Sequence, residues 1–138
     1  MYILDTNVIS ELRKADAGKA DKNVTAWARS VPLSALYLSV VTLLELETGI
    51  LLVERRDQKQ GSILRSWLNN HVLLAFFDRI LSVDTIVARH CARLHVPQPR
   101  GDRDALIAAT ALAYGMTIVT RNTSDFETMG APILNPWH

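Results

Sequence analysis

Four acidic side chains, Asp5, Glu45, Asp104 and Asp125, carry the strongest chemical signal in this sequence. Each follows or opens an element that reads as part of an alternating strand–helix pattern, so chain folding can bring them to one edge of a sheet. Carboxylates gathered there repel one another. At ~4 Å and an effective dielectric near 20, each like-charge pair costs on the order of 4 kcal/mol. Either protons or a cation must neutralise such a cluster. Oxygen donors without a neighbouring histidine or cysteine set favour Mg²⁺, with Mn²⁺ able to substitute, over Zn²⁺. Mg²⁺ keeps several waters. One can attack phosphorus while the metal stabilises the leaving oxygen, so phosphodiester hydrolysis is the natural reaction.

Each acid also has a purely structural reading. Asp5 suits the N-cap of a helix beginning near Thr6. Asp104 suits the positive end of a helix dipole. Thr42-x-x-Glu45 has the form of a capping box. Asp125 sits in the turn-like run Asn-Thr-Ser-Asp. Four such coincidences at one sheet edge are less economical than one site.

The elements that must position the acids follow from pattern. Tyr2 to Leu4 is a short apolar strand, and Val8, Ile9 and Leu12 repeat with helical spacing. Leu36 to Val41 is β-rich, and Thr42 opens a helix carrying Leu43, Leu44, Leu46, Ile50 and Leu51. A helix spans about Ser62 to His71, Ile80 to Val83 reads as a strand, and Asp84 caps a helix through about Leu94. Prolines and glycine make Val96 to Gly101 a loop. A helix follows from about Asp102 to Tyr114, with Gly115 as its terminator and Asp102 as its N-cap. Met116 to Val119 is a buried strand, and Pro132 to Pro136 supplies a short edge strand. This alternation predicts an α/β fold, a central mostly parallel sheet flanked by helices on both faces. Ligands of such sheets bind beyond the carboxyl ends of the strands. Asp5 and Asp125 follow strands, Glu45 lies one helical turn past another, and Asp104 is in a first helical turn.

The 138 residues fit a single domain, and the 49% hydrophobic content supports an ordinary core. One cysteine, Cys91, allows no internal disulfide. The N-terminus lacks a basic signal-peptide region, and the apolar stretch Val40 to Val53 is broken by Glu45 and Glu47, so no membrane association and a cytoplasmic location are expected. Lys and Arg number 15 against 14 Asp and Glu, a net charge of +1. That balance is poor for a free-standing nucleic-acid binder, which needs cations or a partner to offset its acids.

Four ordered segments sharpen the reading: Leu-Asp5-Thr-Asn-Val-Ile-Ser, Thr42-Leu-Leu-Glu45-Leu, Asp104-Ala-Leu-Ile-Ala-Ala-Thr-Ala and Thr120-Arg-Asn-Thr-Ser-Asp125-Phe. Together they resemble the PIN-domain nucleases, most closely the VapC toxins of the FitB-like branch, to which Leu134-Asn-Pro-Trp137 is also similar. The resemblance implies a PIN-like fold, an RNase dependent on Mg²⁺ or Mn²⁺, and the toxin role of a type II toxin–antitoxin system. It also implies a cognate antitoxin, a homodimer that can build a hetero-tetramer or larger assembly with it, and contact with operator DNA only through the antitoxin. Asp5, Glu45 and Asp104 match the family's acids, and Asp125 matches the more variable fourth. Thr6 and Asn7 match residues beside the first acid, and Asn122 lies near the fourth, where it can orient it or a water.

Other residues weigh less. Glu47 is about 200° around the helix from Glu45, so both cannot enter one site. His90 and His95 are about 140° apart and do not share a face for zinc. Arg100 and Arg103 flank Asp104 and are candidates to guide an RNA phosphate. Arg55, Arg56 and Lys59 read as a solvated helix end, and Trp27, Trp67 and Trp137 as core or interface packing rather than base-stacking surfaces. A haloacid-dehalogenase-type phosphatase would also place an Asp after the first strand, but it wants a second Asp two residues on, and position 7 is Asn. A third reading is a FitB-like subunit of a DNA-binding repressor complex with latent or absent nuclease activity.

Overall fold

The computed structural model describes residues Met1–His138. Five short strands build one sheet: β1 (Tyr2–Leu4), β2 (Leu36–Ser39), β3 (Ile80–Leu81), β4 (Thr117–Val119) and β5 (Ile133–Leu134). Their order is β3-β2-β1-β4-β5, and every pairing is parallel. The expected sheet is therefore present, wholly parallel, with β1 at its centre and the Ile133–Leu134 edge strand where the prolines indicated it.

Side-chain alternation along each strand divides the interior into two cores. Leu4, Leu36, Leu38 and Val119 face one core, together with Val8, Ile9, Leu46, Ile50, Leu68, Val72 and Phe76. Ile3 and Ile118 face the other, with Val41, Ile107, Ala108, Ala111 and Phe126. Helices α1 (Thr6–Leu12), α2 (Lys22–Ser30), α3 (Val40–Arg56) and α4 (Gln58–Trp67) supply the first layer. A π-helical turn, Leu68–Val72, continues α4. On the opposite face α6 (Asp102–Tyr114) packs on the sheet, and α5 (Thr85–Leu94) packs on α6 through Val87, Cys91, Ala105 and Ala109. The run of alanines in α6 permits this close stacking on both of its sides. At Gly61 the approach of α4 to α3 is tighter still: an added Cβ would lie 2.8 Å from the Glu54 Cα.

Two helix starts and one cap differ from expectation. Helix α3 begins at Val40, not Thr42, because the Ser39 hydroxyl accepts the Val41 N–H at 3.0 Å. Thr42 is consequently the third helical residue, its buried hydroxyl without a partner, and the capping-box reading of Thr42 and Glu45 fails. Helix α4 starts at Gln58 rather than near Ser62, capped by Asp57. Asp102 does not cap α6: Gly101 occupies that position, and Asp102 is the first helical residue, exposed to solvent. Helix α2, absent from the pattern-based reading, is capped by Asp21, which accepts from the N–H groups of Asn23 and Val24. Asp84 and Gly115 behave as expected: Asp84 caps α5 through the Val87 N–H, and Gly115 ends α6 at φ 66°, a left-handed position that glycine adopts without steric penalty.

Candidate active site

The centre of the site is the joint between β1 and β4. Leu4 pairs with Val119, so the next residues, Asp5 and Thr120, emerge side by side from the carboxyl end of the sheet. The Asp5 N–H donates to the Val119 carbonyl at 2.9 Å, which ties the backbone at the point where β1 ends. The side chain of Asp5 has two sets of partners. Its Oδ1 accepts the Thr6 N–H at 2.8 Å, so Asp5 does cap α1. Its Oδ2 accepts the Thr120 hydroxyl at 2.8 Å and the Asn7 amide at 3.3 Å. Asp5 thus caps α1 with one oxygen while the other is held by Thr120 and Asn7.

Thr6 reaches from the start of α1 to α3, its hydroxyl donating to Glu45 Oε1 at 2.8 Å. Asn7 links in the other direction: its Oδ1 accepts the Arg121 N–H at 3.2 Å, and its amide lies 3.4 Å from the Thr120 hydroxyl. Asn122 contributes its backbone N–H to the Thr120 hydroxyl at 3.0 Å. Thr120 therefore holds three neighbours and is fully buried. Pattern reading gave it no role. Strand register was the signal that would have found it, because a residue immediately after β4 must stand beside the one immediately after β1.

The acids sense one another. Asp104, at the N-terminal end of α6, is pushed up to about 6 from its ordinary 3.8, first by burial, then by the charges of Asp5, Asp125 and Glu45. Asp5 is also raised, chiefly by burial and further by Glu45 and Asp125, against the lowering hydrogen bonds from Thr120 and Thr6. Asp125 closes a short 3₁₀ turn, Thr123–Asp125, beyond β4. All four expected acids are therefore within electrostatic reach at one edge of the sheet.

The two expected phosphate ligands diverge. Arg103 is half exposed, with its Nη1 3.7 Å from Glu45 Oε2, at the margin of the acids. Arg100 is engaged elsewhere: its Nε donates to the Leu94 carbonyl at 3.2 Å and its Nη1 to the Thr128 hydroxyl. Loop closure explains this, since the Arg100 N–H also donates to His95 Nδ1 at 3.0 Å and folds the 96–101 segment back on α5. Glu47 is turned from the site as expected, bound by Arg65 at 2.6 Å.

The donor set fits a hard divalent cation. It is entirely carboxylate oxygen, and Asp104 is raised by burial and then by the charges of Asp5, Asp125 and Glu45, so a bound cation would relieve a charge excess. No three of the acids form a closed ligand set in this geometry, and no histidine or cysteine joins them.

Burial of Asp104, with repulsion from its neighbours, gives the metal-free chain a defined pH response. Because folded Asp104 titrates near 6 and the free side chain near 3.8, the folded chain retains a proton that the unfolded chain releases between those values. The associated stability is complete below 3.8 and is lost as pH rises through about 6. Melting in EDTA should therefore occur at lower temperature at pH 7 than at pH 5, and saturating Mg²⁺ should reduce the difference. A melting temperature in EDTA that stays constant or rises over that interval would contradict it.

A parallel sheet ending in this acid cluster defines a class, and residues 2–131 match the PIN domain family. The chain belongs to the PIN-domain family, on its VapC and FitB toxin branch. It is 40% identical to the VapC ribonuclease Y4jK of Sinorhizobium fredii, across 99% of this chain and 98% of the relative. To the toxin FitB of Neisseria gonorrhoeae it is 35% identical, across 100% of this chain and 99% of the relative. Its fold superimposes on a FitAB structure bound to an IR36 DNA fragment with a TM-score of 0.89 at 34% identity, covering 100% of this chain and 96% of that one.

Proposed function

We propose that this protein is the toxin of a type II toxin–antitoxin system and acts as a Mg²⁺-dependent ribonuclease, with Mn²⁺ able to substitute. The observation that carries the reading is the gathering of Asp5, Glu45, Asp104 and Asp125 at the carboxyl end of the sheet. These four side chains would hold the cation. When bound, it supplies Lewis-acid activation of water and charge neutralisation at the scissile phosphate. The chain's own contribution is placement. Thr120 and Asn7 fix one oxygen of Asp5, the Thr6 N–H fixes the other, and the Thr6 hydroxyl fixes Glu45. Arg103, beside Glu45, is positioned to meet a phosphate flanking the cleaved bond.

Single-stranded or looped RNA is the expected substrate. An unpaired strand can bend its backbone into a recessed carboxylate site at lower cost than a continuous duplex, and its splayed bases can be read. The proposed partner is a cognate antitoxin that inhibits by laying a segment across the acids, with a basic side chain taking the place of the cation. An apolar groove of about 350 Å³ between α1, α2 and α4, lined by Ile9, Leu12, Val31, Leu33, Trp67 and Phe76, suits the apolar face of such a segment. Operator DNA would be contacted through the antitoxin, as parts of a homodimer-based hetero-tetramer or larger complex. The named relatives and the DNA-bound FitAB structure support this assignment. No helix is long and apolar enough to cross a membrane, and we place the protein in the cytoplasm.

The deciding experiment is RNA cleavage by the partner-free protein in EDTA, followed by addition of Mg²⁺ or Mn²⁺. Activity should be absent in EDTA and return with either ion. Full activity in EDTA would rule out the metal mechanism. No cleavage with any ion, together with operator binding in the antitoxin complex, would favour a repressor subunit without nuclease activity. Mapping new 5′ ends in total RNA should give a few discrete positions, and efficient cutting of duplex DNA would point to another nuclease class.

A further inference from the structure

We propose that Arg121, laid over the ring of Trp137, is an RNA phosphate contact on the side of the acids opposite Arg103. The proposal rests on the ribonuclease reading and adds a substrate-binding element to it.

Arg121 immediately follows Thr120, the residue whose hydroxyl holds Asp5. Its backbone is pinned at the site by the N–H donated to Asn7 Oδ1 at 3.2 Å. Its guanidinium lies 5.3 Å from the centre of the Trp137 ring. The Trp137 backbone is itself fixed: its N–H donates to Asn135 Oδ1 at 2.9 Å, and its carbonyl accepts from the Asn23 amide at 2.8 Å. Its indole also packs against the core on the α1 side of the sheet. An arginine stacked on an aromatic face keeps the N–H groups of its planar edge free, in the fork geometry that matches a phosphate. Stacking restricts the side chain in advance, so less rotamer freedom is lost on binding.

The guanidinium is also uncommitted. Arg121 forms none of the ion pairs in the structure. Glu11, the acid whose titration responds to Arg121, is engaged by Lys14 at 2.9 Å and by the Asp21 N–H at 2.8 Å. Arg100, by contrast, has its guanidinium bound to Leu94 and Thr128. The Arg103 guanidinium meets Glu45, on the helix that follows β2, whereas Arg121 follows β4, on the other side of β1. A strand held by both would cross the sheet edge directly over the carboxylates. That path presents one phosphate to the acids and its neighbours to the two cations.

The test measures binding of a short fluorescent single-stranded RNA of mixed sequence to the full-length chain in an Asp5→Asn background, with Mg²⁺, across a salt series. Arg121→Ala should weaken binding on the order of tenfold, as expected for loss of one charge-assisted contact. It should also reduce the slope of log affinity against log salt by about 0.7, one phosphate on a single strand. Trp137→Leu should weaken binding less and leave most of the slope, because the charge remains while its orientation is lost. Arg100→Ala should change neither. In the nuclease-competent chain, Arg121→Ala should raise KM with little change in kcat, with melting temperature as the check on folding. Unchanged affinity and slope in Arg121→Ala, while the parent protein binds and cleaves RNA, would overturn this proposal and leave the ribonuclease reading standing. Unchanged RNA binding with weakened antitoxin binding would overturn it by assigning Arg121 to the protein interface. A parent chain that neither binds nor cleaves RNA would overturn both readings.

Discussion

Asp104→Asn should reduce RNA cleavage on the order of a thousandfold while making the metal-free protein more resistant to heat. The first effect follows from the several kcal/mol that a bound cation contributes at a phosphoryl transition state, at 1.36 kcal/mol per tenfold in rate. The second follows from repulsion. Asp104 is raised to about 6 first by burial and then by three neighbouring acids, so an uncharged side chain of the same shape relieves both. Discounted for its partial exposure to water, the gain is on the order of 1 kcal/mol, or about 3 °C in melting temperature for a chain of this size. Asp104 caps nothing, since Gly101 holds the N-cap position of α6, so the amide removes no structural bond there. Asp5→Asn should abolish cleavage similarly. Its thermal gain should be smaller, because Asp5 accepts from Thr120, Asn7 and the Thr6 N–H and an amide cannot accept at both ends. Melts in EDTA alongside cleavage assays decide the matter. A fall of many degrees in Asp104→Asn, or wild-type cleavage by it, would show a structural acid rather than a working one.

Thr120→Val should lower cleavage about 10- to 100-fold, the usual effect of removing the group that orients a metal-holding side chain. Valine keeps the buried volume but removes the donor to Asp5 Oδ2 and the acceptor for the Asn122 N–H. Asp5 loses the strongest hydrogen bond favouring its charged form, so its already raised pKa moves higher. The acidic limb of the pH–rate profile should therefore shift to higher pH, and more Mg²⁺ should be needed for half-maximal activity. Thr120→Ser should restore most of the rate and return the acidic limb. A merely structural role for the hydroxyl would change the melting temperature of Thr120→Val without moving the pH profile.

How far the sequence could be read varied with the kind of interaction involved. Strand and helix types were legible because they rest on local periodicity: the apolar run at Tyr2–Leu4, the alanine-rich stretch after Asp104 and the prolines around Ile133 each found the element they implied. Boundaries were less legible because capping residues compete over one or two positions. Ser39 captured the start of α3 from Thr42, and Gly101 displaced Asp102 at the start of α6. Helix α2 escaped notice because its apolar side is sparse, with Val24 its only buried residue.

Residue types and their order are enough to place acidic side chains together. Aspartates placed directly after strands or in the first turn of a helix must lie at the carboxyl edge of a parallel sheet, since parallel strands all end on the same side. Which side chains serve those acids depends on how distant elements pair. Thr120 meets Asp5 only because β4 pairs with β1 in the register Leu4–Val119. Arg100, next to the site in sequence, is drawn to Leu94 and Thr128 by the fold of its loop, while Arg121 is brought onto Trp137 by the return of the C-terminal tail along β5. Positions along one element follow from short-range geometry that every residue carries. Contacts between elements far apart in sequence depend on register and loop closure, which take a definite value only when the sheet assembles.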